Sequence, residues 1–195
     1  MTEAGAKWLN NILIGFGAKQ IAYYTYYTRG ESDSTGGESY VDGKSFVDYN
    51  GNPTSLYYYM QNIMANNQKF APTVMQFDYK GSRYYQGSSV STNKDHVAEI
   101  TVSNSFAKLS AFSVDKELAL VTELYDDENN YYMYMAMNIS NPDVGLYTQT
   151  VTMTFSGYTH VLVYVDGVAT THALTNGVYT ATLNAGEAVY VIPFN

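Results

Sequence analysis

The sequence predicts an α+β fold in which a helix–strand–helix unit precedes an antiparallel β-sandwich. Three observations carry that expectation. Apolar residues recur at helical spacing near the N-terminus and again after Pro53. A tyrosine-rich, β-branched stretch lies between the two. Beyond Pro72 the chain becomes a series of short apolar stretches separated by turn chemistry, with no helical period among them.

Residues 3–15 place Ala6, Leu9, Ile12 and Leu13 on one helical face, and Gly15 and Gly17 can end that helix. Residues 19–28, "KQIAYYTYYT", read as a strand: Ala22, Tyr24 and Tyr26 fall on one side, Ile21, Tyr23, Thr25 and Tyr27 on the other. Both sides are bulky, which predicts a strand covered on both faces, as in a parallel sheet. Residues 29–52 are polar and glycine-rich and read as a loop closed by the turn chemistry of "DYNGNP". Asn52-Pro53-Thr54 then suits a helix start with proline in the first turn. The helix is expected to run to about Phe70 with Leu56, Tyr59, Met60 and Ile63 as its core stripe.

From there the expected strands are "TVMQFDY", "AEITVS", "LSAFSVD", "LALVTELYD", "YYMYMAMNIS", "QTVTMTFS", "HVLVYVD", "VYTATL" and "AVYVIPF". Residues 126–130 and 166–177 read as hairpin loops. The boundary falls near residues 72–85, giving units of 1–75 and 76–195. A lone strand in the first unit has two unpaired edges. It must therefore pack against the sandwich, a second copy or another chain.

Of 195 residues, 46% are hydrophobic, enough for a real core. The aromatic share is carried by 21 tyrosines against 8 phenylalanines and one tryptophan, so flat apolar faces with polar edges abound. Such rings suit polar, ring-shaped ligands and equally suit wet protein interfaces. The net charge of −8 and the absence of any lysine or arginine run exclude nucleic acid as a main ligand. With no cysteine, disulfides, thiol catalysis and thiolate metal sites are excluded. The N-terminal stretch has neither the basic start nor the continuous apolar core of a signal peptide, and no run reaches membrane-spanning length. As written the sequence predicts a soluble chain with no export address and no membrane partner.

The run "GFGAKQIAYYTYYT", the polar loop, and "VDYNGNPTSLYYYMQNIMANNQKFAP" together resemble the last unit of a (β/α)8-barrel glycoside hydrolase of the retaining, β-galactosidase-like kind. In those families a helix with a "GA" turn leads into an aromatic eighth barrel strand, and a "D-x-x-G-x-P/T-x-L-Y" segment opens the eighth helix. The stretches from "LALVTELYDDENNYYMYMAMNIS" to "GVYTATLNAGEAVYVIPF" are similar to the β-sandwich that follows such barrels. The resemblance implies a (β/α)8-barrel remnant plus a trailing sandwich. It also implies that the acid/base and nucleophile carboxylates, at strands four and seven, belong upstream of this chain, so no catalytic residue is carried over. What does carry over is sugar contact at the mouth of strand eight: Tyr27, where the family often has tryptophan, flanked by Tyr26 and Thr28.

Retaining hydrolysis needs two carboxyl groups about 5 Å apart. Glu31, Asp33, Glu38 and Asp42 lie in the polar loop, where nothing in the sequence fixes such a pair, and they read as a solvated face. His96, His160 and His172 share no metal-ligand spacing, and His160 reads as a surface strand residue. Asp126, Asp127, Glu128 and Asn129 could offer oxygens to calcium but read better as a hairpin turn. There is no nucleophile elbow and no phosphate loop. No cofactor or metal is expected.

Three functions fit. The chain is the C-terminal part of a glycoside hydrolase-like protein, not catalytic alone; or a stand-alone carbohydrate-binding module; or an assembly protein with tyrosine-rich interfaces. The first expects a homo-oligomer, or an upstream chain covering residues 1–30.

Overall fold

The computed structural model describes residues 1–23, 26–27, 45–48, 50–88, 105–142 and 147–195. Two helices, α1 (Glu3–Gly15) and α2 (Ser55–Val74), precede nine antiparallel strands: β1 (Asp78–Gln86), β2 (Ala111–Val114), β3 (Leu118–Asp126), β4 (Tyr131–Asn138), β5 (Gln149–Thr154), β6 (His160–Val165), β7 (Val168–Ala173), β8 (Val178–Leu183) and β9 (Ala188–Phe194). The strands form a six-stranded sheet ordered β1-β3-β4-β9-β6-β7 and a three-stranded sheet ordered β2-β5-β8. This is the expected α+β fold, helices first and a sandwich after them.

The alternation of side chains explains how the layers hold together. On β3, Leu118, Leu120 and Leu124 point to one face; on β4, Met133, Met135 and Met137 join them; on β9, Ala188, Tyr190 and Ile192. These residues form one core with Ile14 of α1 and Phe70 of α2. The intervening Ala119, Val121, Tyr134, Ala136, Val189 and Val191 form a second core with Val151 and Met153 of β5. The larger sheet is therefore covered on both sides, by the helices on one and the smaller sheet on the other. A third, smaller cluster of Ala6, Leu56, Met60 and Ile63 joins the two helices.

Close backbone approaches seat the helices. Gly15 ends α1 directly over β4, where an added Cβ would lie 2.4 Å from the Met135 methyl and 3.2 Å from Thr122 Oγ1. The chain then leaves the helix through Gly17, whose φ of +82° allows Gly17 N–H to reach Ile14 O and Ala18 N–H to reach Leu13 O. Turns of the sandwich grip the helices in return. Asn11 Nδ2 donates to Gly186 O at 2.9 Å, and Lys7 faces both Asp166 and Glu187.

Several local expectations need correction. Residues 19–23, expected in a strand, join no ladder; the only pairing of that stretch among the described residues is a parallel bridge from Tyr27 to Val47. A strand needs a continuous neighbour, and no described strand lies alongside. Its side chains serve packing instead: Ile21 rests on the helix–sheet core and Tyr23 on the α1–α2 cluster. Helix α2 begins after Pro53, which bridges Val47, and it runs past Phe70 to Val74 with Pro72 inside its last turn. The Lys19 ammonium closes the far end of this helix, donating to the terminal carbonyls of Val74 and Met75 at 3.1 and 3.2 Å and also to Phe77 O. "TVMQFDY" is consequently helix end and turn, with β1 starting at Asp78. Within 166–177, residues Val168–Ala173 are strand β7 rather than loop; the turns are Asp166-Gly167, both with positive φ, and the segment before β8. "AEITVS" lies outside the described residues.

Thr122 Oγ1 is buried and has no hydrogen-bond partner among the described residues. A buried hydroxyl without a partner is a cost, so Thr122→Val is expected to leave stability unchanged or raise it by up to ~1 kcal/mol. Gly15→Ala, which forces Met135 aside, is expected to lose about 1–3 kcal/mol. Urea melts of both variants check the pair.

Candidate functional site

The candidate site lies where the chain passes from α1 to α2. Thr54, the residue before α2, turns its hydroxyl away from the helix: Oγ1 donates to Ser45 O at 2.6 Å, while its N–H donates to Phe46 O. Phe46 packs against Tyr23 at 6.1 Å between ring centres and against Tyr26 at 6.2 Å, both edge-on. Val47 is buried, its N–H donates to Tyr26 O at 2.9 Å, and it bridges Tyr27 and Pro53. These contacts pin Tyr26 and Tyr27 beside the N-terminal end of α2.

Both rings remain open to solvent, Tyr26 at 53% and Tyr27 at 60% exposure. They meet at 5.0 Å with planes 79° apart, so their two flat faces look in different directions. Tyr57 and Tyr58 at the start of α2 form a similar edge-on pair, with Tyr58 exposed. Thr28, the third residue expected at this mouth, lies outside the described residues, as do Glu31, Asp33, Glu38, Asp42 and His96.

The loop behind Tyr27 is braced by Asp48. Its Oδ1 accepts from Asn52 N–H at 2.7 Å and from Asn50 N–H at 2.9 Å, and its Oδ2 from the Asn52 side chain. The Asn52 backbone bond, foremost, holds the Asp48 carboxyl below the ordinary aspartate range. This carboxylate is therefore spent on the turn. Among its described residues the site presents the aromatic faces of Tyr26 and Tyr27 and a single carboxylate, that of Asp48.

The other sequence candidates have structural work. Asp126 accepts from the Glu128 and Asn129 amides at 3.0 Å each and from the Asn129 side chain at 2.8 Å, which closes the β3–β4 turn. His160, half-buried rather than fully at the surface, stacks on Phe194 at 5.5 Å. His172 lies on the exposed strand β7. Among the described residues no three His, Asp or Glu side chains converge on a point that could hold a metal ion, and no helix is long and apolar enough to cross a membrane.

Sequence reasoning missed two buried acids, Glu117 and Glu123. Glu123 lies under the loop 105–110, where Oε2 accepts from Tyr134 Oη at 2.7 Å and from Ala107 N–H at 2.6 Å; the Lys108 N–H donates to Tyr134 Oη at 2.8 Å. Burial, with Glu123 adding to it, pushes the Tyr134 phenol far above its usual range, so it stays a donor to the carboxylate. The signal in the sequence was a glutamate inside the apolar strand "LALVTELYD" facing a tyrosine on the next strand.

No family model matches the sequence, and no curated protein matches it. Among solved structures the chain is weakly similar to a glycoside hydrolase, a GH30 endoxylanase from Clostridium papyrosolvens. The likeness is 22% identical over 40% of this chain, spans 20% of that enzyme, and has a TM-score of 0.31.

Because its folded pKa is lowered, the Asp48 brace contributes fully above about pH 5 and is lost as the pH falls through that lowered value. Acidification toward pH 2 is thus expected to free the Tyr26–Tyr27 segment before the sandwich melts, and Asp48→Asn to reproduce this at neutral pH. Tyrosine fluorescence anisotropy and backbone NMR of Val47 check it.

Proposed function

We propose that this chain is the C-terminal part of a glycoside hydrolase-like protein of the retaining, β-galactosidase-like type. Residues 1–75 are its last barrel unit and residues 76–195 its trailing β-sandwich. It is not catalytic alone, and it contacts carbohydrate through Tyr26 and Tyr27. The observation that carries this reading is the pair of exposed tyrosine rings, held at the junction between two helices by Val47 and Phe46. A tyrosine face stacks on the apolar face of a pyranose while its hydroxyl stays in water. The order of elements along the sequence supports the parentage. The tyrosine-rich stretch, the polar loop and α2 follow one another as in a final barrel unit, and the sandwich comes after.

The partner in this reading is an upstream chain that covers residues 1–30, with self-association of the isolated chain as its substitute. Exposed Phe16, Tyr26 and Tyr27 supply apolar surface for either.

Calorimetric titration with plant, host and bacterial oligosaccharides tests the reading, alongside a reducing-sugar assay. At least one oligosaccharide is expected to bind without turnover, and Tyr27→Ala is expected to weaken it about fivefold or more, the ~1 kcal/mol of one stacked ring. Binding that ignores the substitution, or no binding in any set, would overturn the Tyr26–Tyr27 site.

A further inference from the structure

The two helices do not cover the whole of the larger sheet. Helix α2 stops at Val74, and the chain turns through Met75–Phe77 into β1. Past that turn the helix-side face of the sheet continues as an open groove, floored by Leu162 of β6, Ile192 of β9 and Phe77. Alternation on β4 sets Tyr131 on the same face as Met133, Met135 and Met137. Those methionines are buried under the helices, whereas Tyr131 is 49% exposed because no helix reaches it. Phe194 follows Ile192 by two residues on β9, and its ring is fixed against the His160 imidazole at 5.5 Å with planes 27° apart.

We propose that this uncovered end of the six-stranded sheet is a second binding groove, for a neutral oligosaccharide. The inference rests on the carbohydrate reading above but on different residues. The chemistry of the lining selects the class of ligand. Three aromatic rings, Phe77, Tyr131 and Phe194, together with aliphatic Leu162 and Ile192 suit the apolar C–H faces of sugar rings. The rim carries amides, a hydroxyl and one carboxylate: Gln76, Asn129, Asn195, Thr171 and Asp126. Among the described residues no lysine or arginine lines the groove, so its described lining offers an anionic ligand no counter-charge. The rim is also partly prearranged. Asp126 and Asn129 are locked to each other by the β3–β4 turn, and Asn195 donates to Gly157 O and accepts from Thr159 N–H. Gln76 and Thr171 have exposed side chains that make no hydrogen bond with the described residues, so they remain open to a ligand's hydroxyls. The groove is at the C-terminal end of α2 and Tyr27 is near its N-terminal end. A helix of 20 residues separates them by about 30 Å, too far for one short oligosaccharide to touch both.

Backbone NMR titration of the full chain with xylohexaose, cellohexaose and laminarihexaose reads the two places separately, with trigalacturonate as an anionic control and an uncharged hexapeptide as a protein-segment control. The inference predicts saturable shifts at Asn129, Tyr131, Phe194 and Asn195 with at least one neutral hexaose. These should persist in Tyr27→Ala, weaken at least tenfold in Tyr131→Ala and weaken severalfold in Gln76→Ala, each variant keeping the dispersed spectrum of the folded chain. Shifts confined to Tyr26, Tyr27 and Val47 would overturn the groove while upholding the Tyr26–Tyr27 site. Shifts confined to the groove would uphold it and remove the Tyr26–Tyr27 site. Silence at the groove with all three hexaoses, affinity there unchanged by Tyr131→Ala, or preference for the anion or the peptide would overturn it.

Discussion

The rest of the structure depends on strands β3, β4 and β9 being buried on both faces. Leu118, Leu120 and Leu124 reach the helices while Ala119 and Val121 reach the smaller sheet, and the same division holds along β4 and β9. A strand in that position must be apolar at nearly every residue. Truncation of one of its large side chains, such as Leu120→Ala, costs about 2–5 kcal/mol. Because the strands are shared, the helices are a layer on the sheet rather than an appendage to it. Gly15, Gly167 and Gly186 mark close approaches of that layer, where an added Cβ would meet Met135, the Asn66 carbonyl and the Ala4 carbonyl.

Both proposed sugar contacts follow from where this layering ends. At one end of α2 the chain that joins the helices carries Tyr26 and Tyr27 outward, because Val47, Phe46 and Thr54 occupy the inner positions. At the other end the helix is shorter than the sheet beneath it, and Tyr131 and Phe194 are left beside a floor of Phe77, Leu162 and Ile192. In both places a tyrosine is exposed because its neighbours in the element are packed. The tyrosine-rich composition thus has two outlets. Some rings are buried and hydrogen-bonded, as Tyr134 is to Glu123 and Tyr190 to Asn11, and others stand at the edges of layers.

Much of this was legible in the sequence. The helical period of residues 3–15 gave α1 its bounds, and "LALVTELYD", "YYMYMAMNIS" and "AVYVIPF" named the three central strands. Their near-continuous apolar character also held the clue that both faces are covered, as parallel strands or a three-layer arrangement require. Other features were hidden for physical reasons. Pro72 reads as a helix stop, yet it sits inside a last turn that continues to Val74, whose carbonyl accepts from Lys19, a partner more than 50 residues away. Residues 19–23 have strand propensity, but propensity cannot supply a neighbouring strand, and Ile21 and Tyr23 pack into the helix layer instead. Strand β7 was hidden because "VATTHA" is exposed throughout and so lacks any hydrophobic alternation. Of the site, Tyr26 and Tyr27 could be named from their place after the "GA" turn. The groove at Tyr131 could not, since it is created by the length of α2 relative to the sheet.

The most direct test of the layered account is native-state hydrogen exchange along the whole chain. If the helices and the central strands share one core, the slowest amides of α1 and α2 exchange only by the same global opening as those of β3, β4 and β9, with the same dependence on denaturant. Helix amides that exchange through a separate, cheaper opening while the three strands stay protected would contradict it.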